Sequence, residues 1–504
     1  MGQTQSVALL GLTGSLVEIE VDISDGIPMY SLLGLPDTAL QESRDRVRAA
    51  ISNCNEVWPN RKVTVSLSPA WLPKSGSGFD LSIALSILIA HGSIPQEPYE
   101  SLIVLGELAL DGKIRSVRGV LPALIAAYKS GISRAIVPSA NQSEAALMTQ
   151  MEIFTFDSLR EVLLWGRTGL YAKPQKLDLE TVDVDSYLDF ADVAGQNKAR
   201  FAAEVAASGG HHLLLIGPPG TGKTMIASRI PTILPALTME QALEVTAVHS
   251  ISGAFGSRSP MSLIAPIVSP HHTASRVSIV GGGSHVIKPG ACSLAHHGVL
   301  FIDEAPECAI GVLDSLRQPL ESGTITIARG VGNITFPANF LLVLAANPCP
   351  CGKFTGKGRN CTCSSIQVRH YLGKLSGPLM DRIDMRVHVD PISRVEMAQT
   401  ELGESSASIR ARVISARKAS SERFRHSSWS LNAQIPSREL RGRYRPQREA
   451  MNFLHDELDR ERITARGLHK VIRLSWTLAD LAGHVIPTLE DVKRAHSLRE
   501  GTDV

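Results

Sequence analysis

The stretch His211-His212-Leu213-Leu214-Leu215-Ile216-Gly217-Pro218-Pro219-Gly220-Thr221-Gly222-Lys223-Thr224 decides how this chain is read. Its first six residues form an apolar run of strand length. Gly217 to Thr224 satisfy the pattern G-x-x-x-x-G-K-[ST], with a strand before and a helical stretch after. Glycines let successive backbone N–H groups curl around phosphates, and the helix N-terminus adds the positive end of its dipole. Gly217, Pro218, Pro219, Gly220, Thr221 and Gly222 would form the cradle. Lys223 would reach the β- and γ-phosphates, and Thr224 would bind Mg²⁺.

Two further strands complete such a site. Gly298-Val299-Leu300-Phe301-Ile302 ends in Asp303-Glu304. Asp303 is expected to hold Mg²⁺ through its shell, and Glu304 to orient and polarise the attacking water. Phe340 to Ala346 forms a third apolar strand that ends in Asn347. An amide there can hydrogen-bond the water or the γ-phosphate. The expected fold class is α/β, with a nucleotide-binding unit over residues 189–391.

From these residues outward the chain resembles the AAA+ ATPases, and among them the Mg-chelatase-like group. More narrowly it resembles the ComM/YifB branch associated with bacterial competence. The matching phrases are Gly217–Thr224, Ser269-Pro270-His271-His272-Thr273, Lys288-Pro289-Gly290, Ser293–Glu304, Asn347-Pro348-Cys349-Pro350-Cys351-Gly352 and Ser376–Asp384. The resemblance implies ATP as the nucleotide. It implies that Arg382 is an arginine finger contributed to the neighbouring subunit, so a ring is required, and the family's ring is a homo-hexamer. It matches Arg466 to the second sensor arginine of a helical lid, with Arg473 as the fallback.

Thr324–Arg329 and Ile334–Phe336 alternate on either side of a turn, which is a β-hairpin signal. In related ATPases a hairpin here lines the central pore, making Arg329 a candidate DNA contact; a plain structural hairpin is the other reading. The insert over residues 250–288 resembles a second pore insertion. Its His271 and His272 read as structural histidines or as ligands.

Seven cysteines are unevenly placed: Cys54, Cys292 and Cys308 are scattered, while Cys349, Cys351, Cys361 and Cys363 cluster. Two C-x-C pairs on a Gly/Lys-rich loop can supply a tetrahedral thiolate site for structural Zn²⁺. Free thiols are the alternative.

Residues 1–170 read as a separate α/β domain. Ile103–Asn141 resembles the proteolytic domain of Lon-type proteases, whose fold is like domain 2 of ribosomal protein S5. The positions of that family's nucleophilic Ser and catalytic Lys fall here on Gly78 and Leu121. A Ser–Lys mechanism needs both a hydroxyl and an amine, so an ATP-dependent protease is disfavoured. Residues 171–188 read as a polar linker and residues 392–504 as a helical lid.

The 504 residues carry 51 Lys/Arg against 49 Asp/Glu, which argues globally against a histone-like nucleic-acid binder. The balance is uneven, with 11 basic and 2 acidic residues between Arg410 and Arg448. Phe424, Trp429 and Tyr444 interleave with them, a pattern that suits a phosphate backbone with aromatics free to stack on bases. A solvated basic face is the alternative. No apolar run is long enough to span a bilayer, and no membrane partner is expected. The expected protein is a cytoplasmic ATPase ring driving DNA, by resemblance a helicase or branch-migration motor in recombination of incoming DNA. A Mg-chelatase-type remodeller of a protein or metal-insertion partner is the alternative.

Overall fold

The computed structural model describes residues 1–74, 76–171, 188–253, 261–283, 287–329, 332–354, 361–391 and 403–502. The side chains of Ala39 and Arg329 also lie outside the described set, as do the linker core and parts of the 250–288 insert.

A seven-stranded mixed sheet organises the N-terminal part. Its order is Met29–Leu33, Lys62–Ser68, Thr13–Ser24, Gly2–Leu10, Leu102–Val104, Arg134–Pro138 and Glu152–Phe156. The helix Asp80–His91 lies against it with Leu81, Ile83, Leu85, Ile87 and Leu88 fully buried. Gly92 ends the helix at φ 81°, a left-handed conformation that glycine adopts without a Cβ clash. Asp80 is buried and is held by Arg46, whose Nε donates over 2.7 Å. Leu121 is fully buried in an apolar cluster, so no amine occupies that position. Ser77 donates its hydroxyl to Glu107.

The central sheet has five parallel strands in the order Ile267–Val268, Val299–Ile302, Leu341–Ala346, Leu213–Ile216 and Met385–His388. Strand side chains alternate between faces. Leu213, Leu215, Val299, Phe301, Val343 and Ala345 therefore enter one core, while Leu214, Leu300, Ile302, Leu342, Leu344 and Ala346 enter the other. Both faces being covered explains why these strands read as unbroken apolar runs.

Four long helices follow, Ser406–Arg423, Arg448–Asp459, Ala465–Ala482 and Leu489–Glu500. Their apolar faces share one cluster with the sheet, so the helical part has no separate core. This overturns the expectation of free aromatics. Phe424 and Tyr444 are 3% and 2% exposed, and Trp429 packs against the same cluster. Tyr444 meets Phe424 and Trp476 edge-on, at centroid distances of 5.4 and 5.9 Å. Burying these rings outweighs leaving them in water, so Phe424 at a helix end, Trp429 in a loop and Tyr444 in a turn pack as core and not as a stacking platform.

The sheet and the helical part meet at buried polar groups. His211 is fully buried, and its Nε2 lies 2.7 Å from the Thr477 hydroxyl. Its Nδ1 lies 3.9 Å from Asp384, which is paired with Lys470 at 2.6 Å. Burial lowers the His211 pKa from 6.5 to about 4. Between those values the unfolded chain binds a proton at this site and the native chain does not. The stabilisation is thus complete above pH 6.5 and drains as pH falls towards 4. His211→Gln is expected to lose less thermal stability than the parent on going from about pH 7 to about pH 4.5. Identical losses in the two proteins would remove His211 from this account.

Candidate nucleotide site

The phosphate loop leaves the carboxyl end of Leu213–Ile216. Gly217 is required there, because a Cβ would lie 2.2 Å from the Val389 carbonyl oxygen. Gly222, at φ 90°, turns the chain into the helix Lys223–Ile233. The Lys223 ammonium donates to the Gly217 and Pro218 carbonyls at 2.6 and 2.8 Å. It also reaches Asn347 Oδ1 at 3.2 Å. Burial lowers the Lys223 pKa, and the Asp303 and Glu304 carboxylates oppose that shift.

The Thr224 hydroxyl donates to Asp303 Oδ2 over 2.7 Å. A hydroxyl and a carboxylate side by side are hard oxygen donors of the kind Mg²⁺ takes in phosphate sites, so these residues fit that ion. Asp303 Oδ1 accepts the Glu304 backbone N–H at 2.9 Å. Glu304 is held at φ 49°, unusual for a residue with a side chain. Its carboxylate lies 3.3 Å from His272 Nδ1. His271, His272, Asp303 and Glu304 line one open cleft with Ser269 and Pro270. The structure thus brings Lys223, Thr224, Asp303, Glu304 and Asn347 together.

Two contacts were not singled out from the residues. His272, read as a structural or liganding histidine, stands against the carboxylate strand's glutamate. Gln196, at φ 54°, donates to the Thr221 and Asp390 carbonyls at 3.2 and 2.6 Å. It ties the phosphate loop to the sheet edge, and no periodicity marks it.

Arg382 and Arg466 lie elsewhere. Met385 pairs with Leu213 in the parallel register, so Arg382 precedes its strand at the amino-terminal edge of the sheet. The phosphate loop leaves the opposite edge, a strand length of roughly 13 Å away. The Arg382 guanidinium donates to the Pro378 carbonyl over 2.6 Å and to Glu321. Arg466 pairs with Asp381 at 3.2 Å, so it stands beside Arg382. The Arg473 guanidinium donates to the Ile435 carbonyl at 2.8 Å within the helical part. Arg329 ends the first strand of the observed hairpin, Thr324–Arg329 paired with Gly332–Pro337; its side chain lies outside the described residues.

The four clustered sulfurs all lie within 4.8 Å of one another. Cys349 Sγ is 3.3 Å from Cys351 Sγ and 3.6 Å from Cys361 Sγ. A second group of metal-ligating types, Glu244 with His296 and His297, is closed by hydrogen bonds instead. His296 Nδ1 accepts the Asn339 N–H at 3.1 Å, which leaves the proton on Nε2, 3.2 Å from Glu244.

Three family models match in succession. "Subunit ChlI of Mg-chelatase" covers residues 19–141, "Magnesium chelatase, subunit ChlI" residues 189–397, and "Magnesium chelatase, subunit ChlI C-terminal" residues 403–499. The competence protein ComM of Haemophilus influenzae is 39% identical over 95% of this chain and 93% of its own length. The chain belongs to the Mg-chelatase-like ComM/YifB family. An uncharacterized protein of Mycobacterium tuberculosis is 46% identical over 99% of both chains. YifB of Escherichia coli, also uncharacterized, is 38% identical over 98% of this chain and 96% of its own. Membership of this AAA+ family supports ATP hydrolysis with ATP and Mg²⁺. No described helix is long and apolar enough to cross a membrane.

Proposed function

We propose that this chain is an ATP-driven ring motor on DNA, a helicase or branch-migration enzyme working during recombination of incoming DNA. The observation that carries the reading is the division of one site between two sheet edges. Lys223, Thr224, Asp303, Glu304 and Asn347 sit at the phosphate loop, while Arg382 sits at the far edge. Arg382 cannot serve its own phosphates from there, which supports its use by a neighbouring copy and hence a homo-hexameric ring.

Each residue then has a task. Lys223 exchanges its carbonyl partners for phosphate oxygens, and Asn347 holds it in place. Thr224 and Asp303 would hold Mg²⁺, which would supply neutralisation of the charge on the phosphates. Glu304 accepts hydrogen bonding from the attacking water, with His272 fixing its carboxylate. Arg466 joins Arg382 at the shared interface. The four thiols fit a structural Zn²⁺ ion.

The relative named a competence protein supports incoming DNA as the substrate. So do Arg438, Arg441, Arg443, Arg445 and Arg448, all exposed on the helical part. They supply charge without base stacking, so binding is to the phosphate backbone and indifferent to sequence. Forked DNA is expected to stimulate ATP turnover, and the stimulation should shrink steeply as salt rises from about 50 to about 200 mM. Turnover indifferent to single-stranded and forked DNA would remove the DNA reading and leave a Mg-chelatase-type remodeller in its place.

A further inference from the structure

We infer that a zinc ion held by Cys349, Cys351, Cys361 and Cys363 braces the phosphate loop and sets the affinity of the site for nucleotide. The inference rests on the zinc assignment above and adds a task to it. Thiolates around tetrahedral zinc bond at about 2.3 Å, which places the sulfurs roughly 3.8 Å apart. The observed separations of 3.3, 3.6 and 3.6 Å already approach that spacing, and none of the cysteines is in a disulfide. The Cys363 N–H points at Cys361 Sγ over 3.4 Å, the kind of contact that supports a metal-bound thiolate.

The position of the cluster gives it leverage. Cys349 is fully buried and lies two residues after Asn347, whose amide oxygen holds Lys223. Gly352 follows Cys351 at φ 72° and packs on Pro219 of the phosphate loop. A Cβ on Gly352 would lie 2.6 Å from Pro219 Cδ. On the other side, Ser364 follows Cys363 and caps the helix Ser365–Gly373, its side chain accepting the Gln367 N–H at 3.3 Å. One ion would therefore fasten three things: the Asn347 strand end, the surface under Pro219, and the start of the segment that leads to Arg382. Without it, Cys351, Cys361 and Cys363, which are only half-buried, have little packing to hold them, and the backing of Pro219 is lost.

The test uses the full-length chain and three measurements: zinc per chain, affinity for a fluorescent ATP analogue, and far-ultraviolet circular dichroism. About one zinc per chain is expected for the parent, and none for the Cys361→Ser/Cys363→Ser variant. The variant should keep its helix content and bind the analogue about tenfold more weakly, the equivalent of one lost charge-assisted hydrogen bond. Gly352→Ala keeps all four thiols and should retain zinc while also weakening binding. A parent without zinc would overturn the assignment itself. A zinc-loaded parent would still leave the brace overturned if Gly352→Ala bound nucleotide with full affinity. So would a folded, zinc-free double variant that bound as tightly as the parent.

Discussion

Glu304→Gln is expected to bind ATP as the parent does and to hydrolyse it at least ~10²-fold more slowly. The amide keeps the shape of the carboxylate but cannot polarise water. The rest of the site is untouched: Lys223 still has Asn347, and Thr224 still has Asp303. The backbone at φ 49° is anchored by Asp303 through the Glu304 N–H, so the substitution should not relax the loop. Single-turnover hydrolysis of pre-bound ATP separates the chemical step from binding. Turnover close to the parent's would remove Glu304 from the water-activating role. His272→Ala should lower turnover too, though by less, because His272 orients the carboxylate and does not meet the water.

Arg382→Ala should lose about 10³-fold in turnover, the scale on which arginine fingers act, with nucleotide affinity almost unchanged. A modest loss of stability is expected as well, because the Arg382 side chain is only 17% exposed and also holds the Pro378 carbonyl, although Glu321 is mostly exposed. The decisive measurement mixes two inactive chains. In a mixed ring, an Arg382→Ala subunit offers an intact Glu304 to a neighbour whose Arg382 is intact although its own Glu304 is Gln. Partial recovery of turnover in the mixture is expected. No recovery at any mixing ratio would show that the arginine does not act across a subunit boundary.

The legible part of this molecule was the part with short-range grammar. Gly217 to Thr224 is a contiguous loop whose chemistry needs adjacent residues, and Asp303 and Asn347 mark strand ends after apolar runs. The five-stranded sheet places all of them at one edge. The hairpin over residues 324–337 and the four long helices were legible for the same reason. Less legible was whatever depends on distant segments meeting. Trp429, Phe424 and Tyr444 lie among arginines in the chain, and only packing against Trp476 shows them to be core. His272 meets Glu304 across 32 positions of sequence, and Gln196 meets Asp390 across nearly two hundred. No local spacing encodes such encounters.

The helix Met239–Ser252 is touched from both ends by different parts of the molecule. Near its end, Ala247 joins an N-terminal apolar cluster, and Ser250 donates to the buried Glu144 of that domain. Near its start, Glu244 receives His296 and His297 at the root of the strand that carries Asp303 and Glu304. It therefore joins the root of the carboxylate strand to the N-terminal domain by direct contacts. A displacement of the carboxylate strand on hydrolysis would be handed to the N-terminal domain as a rigid-body tilt. That domain, which carries neither a hydroxyl at Gly78 nor an amine at Leu121, would then be the part that moves.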